Sequence, residues 1–245
     1  MRRVLIIGAT SRIAQETGIC FARAGCDLFL VGRDAEKLRS TKAALEKAGA
    51  RRVEIVSRDL TRVDTHQELI DTVIATLGGI DSVLIAHGVY EDQLECERSA
   101  AKTLDIIYVN FTSVVSLLTL LANYFEHQRS GIIAVITSIA GDRGRRTHYI
   151  YGSSKGALNI FLQGLRSRLY KNGVSVVTIK PGYVDTPMTA SLEKNILFAK
   201  PSYVGQKIYM AMKHHKDVVY VPGFWRFVMY AIRIIPESLF KRMSF

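Results

Sequence analysis

The chain has 245 residues, of which 48% are apolar and 22% charged, with only five prolines. At roughly 150 residues per domain this is one or two domains with ample material for a core, and disordered, collagen-like and low-complexity classes are excluded. The formal net charge of +11 favours anionic partners (nucleic acid, acidic lipid or phosphorylated small molecules) without choosing among them.

Short apolar runs alternate with longer helical patterns. Residues 4–7, 27–31, 53–57, 82–86, 132–137, 174–180 and 218–221 read as strands. Several are apolar at successive positions, as expected of parallel strands covered on both faces. Helical patterns lie near 12–24, 34–48, 63–77, 103–126, 149–171 and 201–214. This alternation predicts an α/β fold: one doubly wound parallel sheet of about seven strands with right-handed crossovers. No repeat or linker divides it, so residues 1–221 are expected to form one domain, followed by an amphipathic segment, 222–245. After Met1-Arg2-Arg3 the apolar run is four residues long, too short for a secretory leader. No uninterrupted apolar stretch of about 18 residues predicts a spanning helix. Cys20, Cys26 and Cys96 are odd in number and lack metal-ligand spacing; they read as reduced, mostly buried thiols of a cytosolic protein, and no metal is expected.

The first strand runs into Gly8-Ala9-Thr10-Ser11-Arg12-Ile13-Ala14 and then a helix. A glycine turn there lets backbone approach a pyrophosphate, while the helix N-terminus offers free N–H groups and a positive dipole. Taken alone, this could equally be an ordinary turn. The second strand ends at Val31-Gly32-Arg33. An acidic side chain at this point suits a ribose 2′-hydroxyl and an arginine suits a 2′-phosphate. Arg33, with Arg12, therefore points to NADP(H) over NAD(H); Asp34, preceding a helical pattern, reads as an N-cap.

Tyr151 and Lys155 stand four apart, on one face of a helix. A phenol ionises near pH 10. A positive charge about 4 Å away is worth on the order of 4 kcal/mol at an effective dielectric of 20, enough to lower that pKa by up to roughly three before solvent screening. The pair can then exchange a proton with a carbonyl or alcohol oxygen. Such spacing also arises by chance, so the pair gains its weight from its neighbours along the chain.

The phosphate turn, Asp59-Leu60-Thr61, Asn110, Ser138, Tyr151 with Lys155, and Pro181-Gly182 occur in one order over residues 1–221. This ordered set resembles the short-chain dehydrogenase/reductase family. The resemblance implies Tyr151 as general acid in ketone reduction, or base in alcohol oxidation. It makes Lys155 the residue that lowers the tyrosine pKa and holds the nicotinamide ribose, Ser138 the one that polarises the substrate oxygen, and Asn110 the anchor of a proton-relaying water. It places Gly8, Thr10, Ser11, Arg12, Ile13, Arg33, Asp59, Leu60, Ala86, Gly88, Pro181, Gly182, Val184 and Thr186 along the cofactor, and it implies a homo-oligomer, dimer or tetramer. Two departures stand out. The later glycines of the phosphate turn are here Arg12 and Ala14, and the usual Asn-Asn-Ala-Gly is Ile85-Ala86-His87-Gly88.

Between Ser138 and Tyr151, the loop that borders the substrate cleft in this family carries Arg143, Arg145 and Arg146. Guanidinium binds phosphate bidentately, so a phosphorylated substrate fits; an exposed basic loop at an oligomer contact fits too. Residues 224–235 have helical period, with Arg226, Tyr230 and Arg233 along one stripe of an otherwise apolar surface. A segment of that length cannot span a bilayer. It suits either the membrane interface, on the inner face of a cytoplasmic membrane, or packing on a subunit or on its own core. The arginine loop, the Tyr151–Lys155 motif and the Val221-Pro222-Gly223-Phe224 tail together resemble one branch, the decaprenylphosphoryl 2-keto-erythropentose reductases. That branch implies NADPH-dependent reduction of a lipid-phosphate-linked keto sugar. The competing expectations are a generic soluble carbonyl reductase and a non-catalytic nucleotide sensor or nucleic-acid binder. The last is disfavoured because no aromatic–basic surface is evident.

Overall fold

Strands that are apolar at every position need cover on two sides, and the chain supplies it by placing a helix after nearly every strand. The computed structural model describes every residue except Ser191, Ser244 and Phe245. Its elements in chain order are β1 (Arg3–Ile7), α1 (Arg12–Arg23), β2 (Asp27–Gly32), α2 (Ala35–Lys47), β3 (Arg52–Ser57), α3 (His66–Leu77), β4 (Ser82–Ile85), α4 (Gln93–Glu97), α5 (Ala100–Ile107), α6 (Ser113–Gln128), β5 (Gly131–Ile136), α7 (Tyr149–Tyr170), β6 (Val174–Pro181), α8 (Pro201–Lys213), β7 (Val218–Val221), α9 (Trp225–Ile234) and α10 (Glu237–Phe240).

The seven strands form one parallel sheet in the order β3-β2-β1-β4-β5-β6-β7. Successive strand residues point to opposite faces. Leu5 and Ile7 of β1 join the core with Leu69 and Val73 of α3, Leu117 and Leu121 of α6 and Leu158 and Leu162 of α7. Val4 and Ile6 join the other core, with Phe21 of α1, Leu38 and Leu45 of α2 and Ile208 and Met212 of α8. Strand order reverses between β1 and β4, where Ile7 pairs with both Val31 and Ile85. In open α/β sheets this switch point opens a crevice at the carboxyl ends of the strands. Gly8 and the segment Ala86–Gly88 flank it.

The structure departs from the sequence expectations in two places. The helix expected over 103–126 begins at Ala100 and is interrupted by a π-helical turn, Tyr108–Thr112; hydrophobic period alone cannot register one inserted residue per turn. The run Ala100–Gln128 is also long and apolar enough to cross a membrane by composition, with a mean hydropathy of 1.8. Here Val114, Leu117, Leu118, Leu121 and Phe125 of that run pack into the core instead. The short α4 was not anticipated; Asp92 builds it by accepting the Leu94 and Glu95 N–H groups.

The segment after β7 docks on the loop that follows β5. Trp225 and Met229 of α9 bury against Ile139. Arg143 donates to the carbonyls of Ile232 (2.7 Å) and Ile235 (2.6 Å), pairs with Glu237 at 3.0 Å, and lies 3.7 Å above the Phe240 ring centre. A guanidinium at the carbonyl end of a helix satisfies acceptors that have no partner of their own. The same loop is fastened to β6 and β7 by Asp142. Its carboxylate takes the Lys180 ammonium at 2.5 Å and the Tyr220 hydroxyl at 2.7 Å, with both ion-pair members nearly excluded from water. Breaking a buried pair leaves an uncompensated charge, at about 3–5 kcal/mol. Asp142→Asn should therefore lower unfolding free energy by that amount in chemical denaturation; a loss below about 1 kcal/mol would show that the pair holds nothing in place.

Candidate active site

The site begins with backbone packing. At Gly141 a Cβ would stand 2.6 Å from the Lys155 carbonyl carbon and 2.7 Å from the Gly156 nitrogen, and at Gly152 a Cβ would meet the Ala140 oxygen at 2.9 Å. The turn after β5 thus lies directly on α7, where only glycine leaves room. That contact brings Ser138 to Tyr151: their hydroxyls hydrogen-bond, while Ser138 Oγ also accepts the Ala140 N–H at 3.1 Å. Ser138, Tyr151 and Lys155 are therefore gathered as the motif order implied.

Lys155 is buried and donates to the Ile136 carbonyl at 3.3 Å, with its Nζ 5.8 Å from the Tyr151 ring centre. Burial lowers its pKa to about 8. Burial also acts on Tyr151 and pushes its phenol up to about 12; the Ser138 hydrogen bond opposes this and the nearby Tyr90 adds to it. The sequence expectation of a phenol pulled down by its lysine is thus reversed. Both groups pay for leaving water, each in the direction of its neutral form. The consequence is a phenol that holds its proton throughout the neutral range. Tyr90 meets the Tyr151 ring edge-on at 5.3 Å.

Asn110 is fully buried in the π turn. Its Oδ1 accepts the Val89 N–H at 2.8 Å, and its Nδ2 donates to the Val89 carbonyl at 2.9 Å and to Ser154 Oγ at 3.2 Å. It thereby fixes the segment after β4. A Cβ at Gly88 would lie 3.0 Å from Asn110 Oδ1 and 3.2 Å from Lys155 Nζ, so Gly88 closes over both.

The other half of the crevice suits a nucleotide. Gly8 has φ +79°, and a Cβ there would reach within 2.4 Å of the His87 nitrogen. Ser11 caps α1 by accepting the Ala14 N–H at 3.2 Å, and the first turn carries no acid. Thr10 and Ile13 flank this turn; the Thr10 methyl would meet a Cβ at Gly32 at 3.2 Å. His87 Nε2 donates to Ser113 Oγ at 2.9 Å, because that hydroxyl gives its own proton to the Val109 carbonyl. His87 Nδ1 is therefore an acceptor, buried and without a partner among the described residues, on a ring whose pKa is held near 3 by desolvation first and Lys155 second. A glycine cradle, a helix N-terminus with no acid in its first turn and an orphaned acceptor fit a bound dinucleotide.

At the end of β2, Asp34 is the α2 N-cap, accepting the Lys37 N–H at 3.0 Å. Arg33 is exposed and makes no ion pair among the described residues, whereas Arg12 pairs with Glu16 at 2.9 Å. Asp59 accepts the Thr61 N–H and hydroxyl at 3.0 and 2.9 Å, which lower its pKa; Leu60 beside it is buried. Ala86 follows β4 directly. Pro181 ends β6, Val184 bridges to Ala199, and Thr186 caps the short turn Pro187–Thr189.

The three loop arginines separate. Arg143 is spent on α9 and α10, as described, and Arg146 is exposed. Arg145 is only 9% exposed, hydrogen-bonds Tyr183, and leaves Nε without a partner. No carboxylate pairs with it among the described residues; burial lowers its pKa, and its charge helps desolvation hold His148 near 4. Tyr183 stacks on Phe198 at 5.4 Å and meets Trp225 edge-on at 5.8 Å. A Cβ at Gly182 would come within 2.0 Å of Trp225 Nε1, itself buried and without a partner among the described residues. Sequence reasoning missed Tyr90, Tyr183 and Trp225. The only signal was the apolar period of the tail, which said that residues around 225 bury but not against what.

A family model described as short chain dehydrogenase matches residues 2–197. An uncharacterized oxidoreductase of Mycobacterium tuberculosis is 33% identical over 240 residues, covering 98% of this chain and 96% of its own. One from Streptomyces coelicolor is 33% identical over 243 residues, covering 99% and 96%. Among solved structures, levodione reductase superposes with a TM-score of 0.83 at 19% identity, covering 91% of this chain and 97% of its own. An actinorhodin polyketide ketoreductase crystallised with NADPH superposes with a TM-score of 0.82 at 23% identity, covering 91% and 96%. These two likenesses show the fold.

The tight crossing at Gly8 gives a direct check of the nucleotide cradle. Gly8→Ala strains a positive φ and drives a methyl group into backbone. It should weaken NADPH binding by at least about tenfold in a fluorescence titration, a loss of about 1.4 kcal/mol; unchanged binding would place the nucleotide elsewhere.

Proposed function

The chain belongs to the short-chain dehydrogenase family, and on that premise we propose that it is an NADPH-dependent ketone reductase acting on a phosphate-linked keto sugar. As a family member it is an NAD(P)-dependent oxidoreductase. The observation that carries this reading is the convergence of Ser138, Tyr151 and the buried Lys155, with the Tyr151 phenol in its protonated form at neutral pH as an acid requires.

When bound, the reduced nicotinamide supplies a hydride to the substrate carbonyl carbon. Ser138 donates its hydroxyl hydrogen bond to the carbonyl oxygen and orients it toward Tyr151. As negative charge grows on that oxygen, Tyr151 gives up its phenolic proton, so that ketone plus hydride plus proton becomes a secondary alcohol. The charge left on the phenolate is stabilised by the Lys155 ammonium, which still carries its proton below about pH 8. Asn110 keeps the segment after β4 in place behind Lys155. Tyr90 packs edge-on against the Tyr151 ring, and aromatic surface at that point keeps bulk water from competing for the proton.

NADPH over NADH is supported at the end of β2. Asp34 is committed to its cap, and Arg33 is exposed and without an ion pair among the described residues, which suits a 2′-phosphate. An anionic substrate is supported by Arg145. A guanidinium with most of its hydration removed and no carboxylate partner calls for an anion, and a phosphate offers the fork geometry that it binds best. The lipid-linked form of such a substrate is the one that the apolar tail supports.

The test is NADPH oxidation against a phosphorylated keto sugar and its uncharged counterpart. Tyr151→Phe is expected to keep NADPH affinity and lose about 10²–10⁴ in kcat. Arg145→Met should raise KM for the phosphorylated substrate alone. Equal activity on both sugars, unaffected by Arg145→Met, would favour a generic carbonyl reductase, and normal turnover by Tyr151→Phe would remove the acid role.

A further inference from the structure

Two segments border the substrate mouth from outside the sheet, and both leave β-strands at the same edge. The turn Pro187–Thr189 and residues 192–199 follow β6, and α9 with α10 follows the carboxyl end of β7. The aromatic chain Phe198–Tyr183–Trp225 joins them.

α9 has two apolar faces. Trp225, Met229 and Ile232 point into the protein. On the opposite side, where a surface helix ordinarily turns polar, Phe227, Tyr230 and Ile234 are 76%, 68% and 65% exposed. Leu239 of α10 is exposed as well, and in the other segment Met188, Leu192, Leu197 and, at 97%, Ile196. Arg226 and Arg233 share one flank of the outer face of α9, with Lys241 and Arg242 just beyond α10. None of the four is ion-paired among the described residues. The only acid in residues 222–243 is Glu237, which Arg143 already neutralises.

We propose that this edge is a membrane-docking surface: the outer face of α9, with α10 and the exposed Met188, Leu192, Ile196 and Leu197, seats the substrate mouth on an anionic lipid bilayer. Aromatic and aliphatic side chains at headgroup depth with cations on the flank are the chemistry of an interfacial helix. A second copy of the chain fits less well. An isologous contact centred on α9 would set Arg226 and Arg233 against their own counterparts, and Glu237, the acid of that segment, is already taken by Arg143. The proposal stands apart from the reductase reading, because vesicle binding needs neither turnover nor a particular substrate.

The experiment is flotation of the full-length protein with vesicles of phosphatidylcholine, with and without phosphatidylglycerol. The protein should float with the anionic vesicles, and more weakly as salt rises. Phe227→Asp combined with Ile234→Asp should cut the bound fraction at least about tenfold with melting temperature and gel-filtration volume unchanged. Arg226→Glu with Arg233→Glu, which leaves every apolar contact in place, should abolish the preference for phosphatidylglycerol. A wild-type protein that stays with the soluble fraction, or an aspartate pair that floats as well as wild type, overturns the proposal. So does a gel-filtration shift in the aspartate pair, which would show the face covered by another copy.

Discussion

The contact on which the rest of the site depends is that of the turn after β5 with the backbone of α7, made through Gly141, Gly152 and Gly156. Ser138 reaches Tyr151 because that turn lies flat on the helix. The same few residues carry Asp142 to Lys180 and Tyr220, Arg143 to the carbonyl end of α9, and Arg145 to Tyr183. One stretch of backbone therefore fixes the Tyr151 hydroxyl, the position of Trp225 and the Arg145 guanidinium. A side chain at Gly141 or Gly152 would force this turn off the helix and disturb all of them at once.

Burial then sets the chemistry. Removing water raises the phenol and lowers the ammonium, so the free protein holds an uncharged tyrosine beside a lysine that loses its proton only just above neutrality. For ketone reduction this is the useful resting state: the acid is loaded, and the cation becomes most valuable when the phenolate forms. The same logic applies to Arg145, a charge kept out of water with no carboxylate paired to it among the described residues.

Much of this was legible in the residues. Seven short runs became seven strands because most are apolar at successive positions, rich in β-branched residues and too short for helices. The ordered motifs found Ser138, Tyr151, Lys155 and Asn110 because their order along the chain is itself information. The direction of the Tyr151 shift was not legible: spacing gives the distance to a charge, whereas desolvation depends on residues such as Tyr90 that approach from elsewhere. The fates of the three loop arginines were likewise hidden. Arg143, Arg145 and Arg146 look alike in sequence, and only the docking of α9 decides which is consumed, which is buried and which is left in solvent.

The most direct measurement of the central claim is the pH profile of kcat/KM for ketone reduction in the wild-type protein. Lys155 carries its charge below a pKa of about 8 and is neutral above it, while Tyr151 stays protonated to far higher pH. The account predicts a plateau through neutrality and a fall as pH rises through about 8. A rate that is level across pH 8, or that climbs, would contradict it.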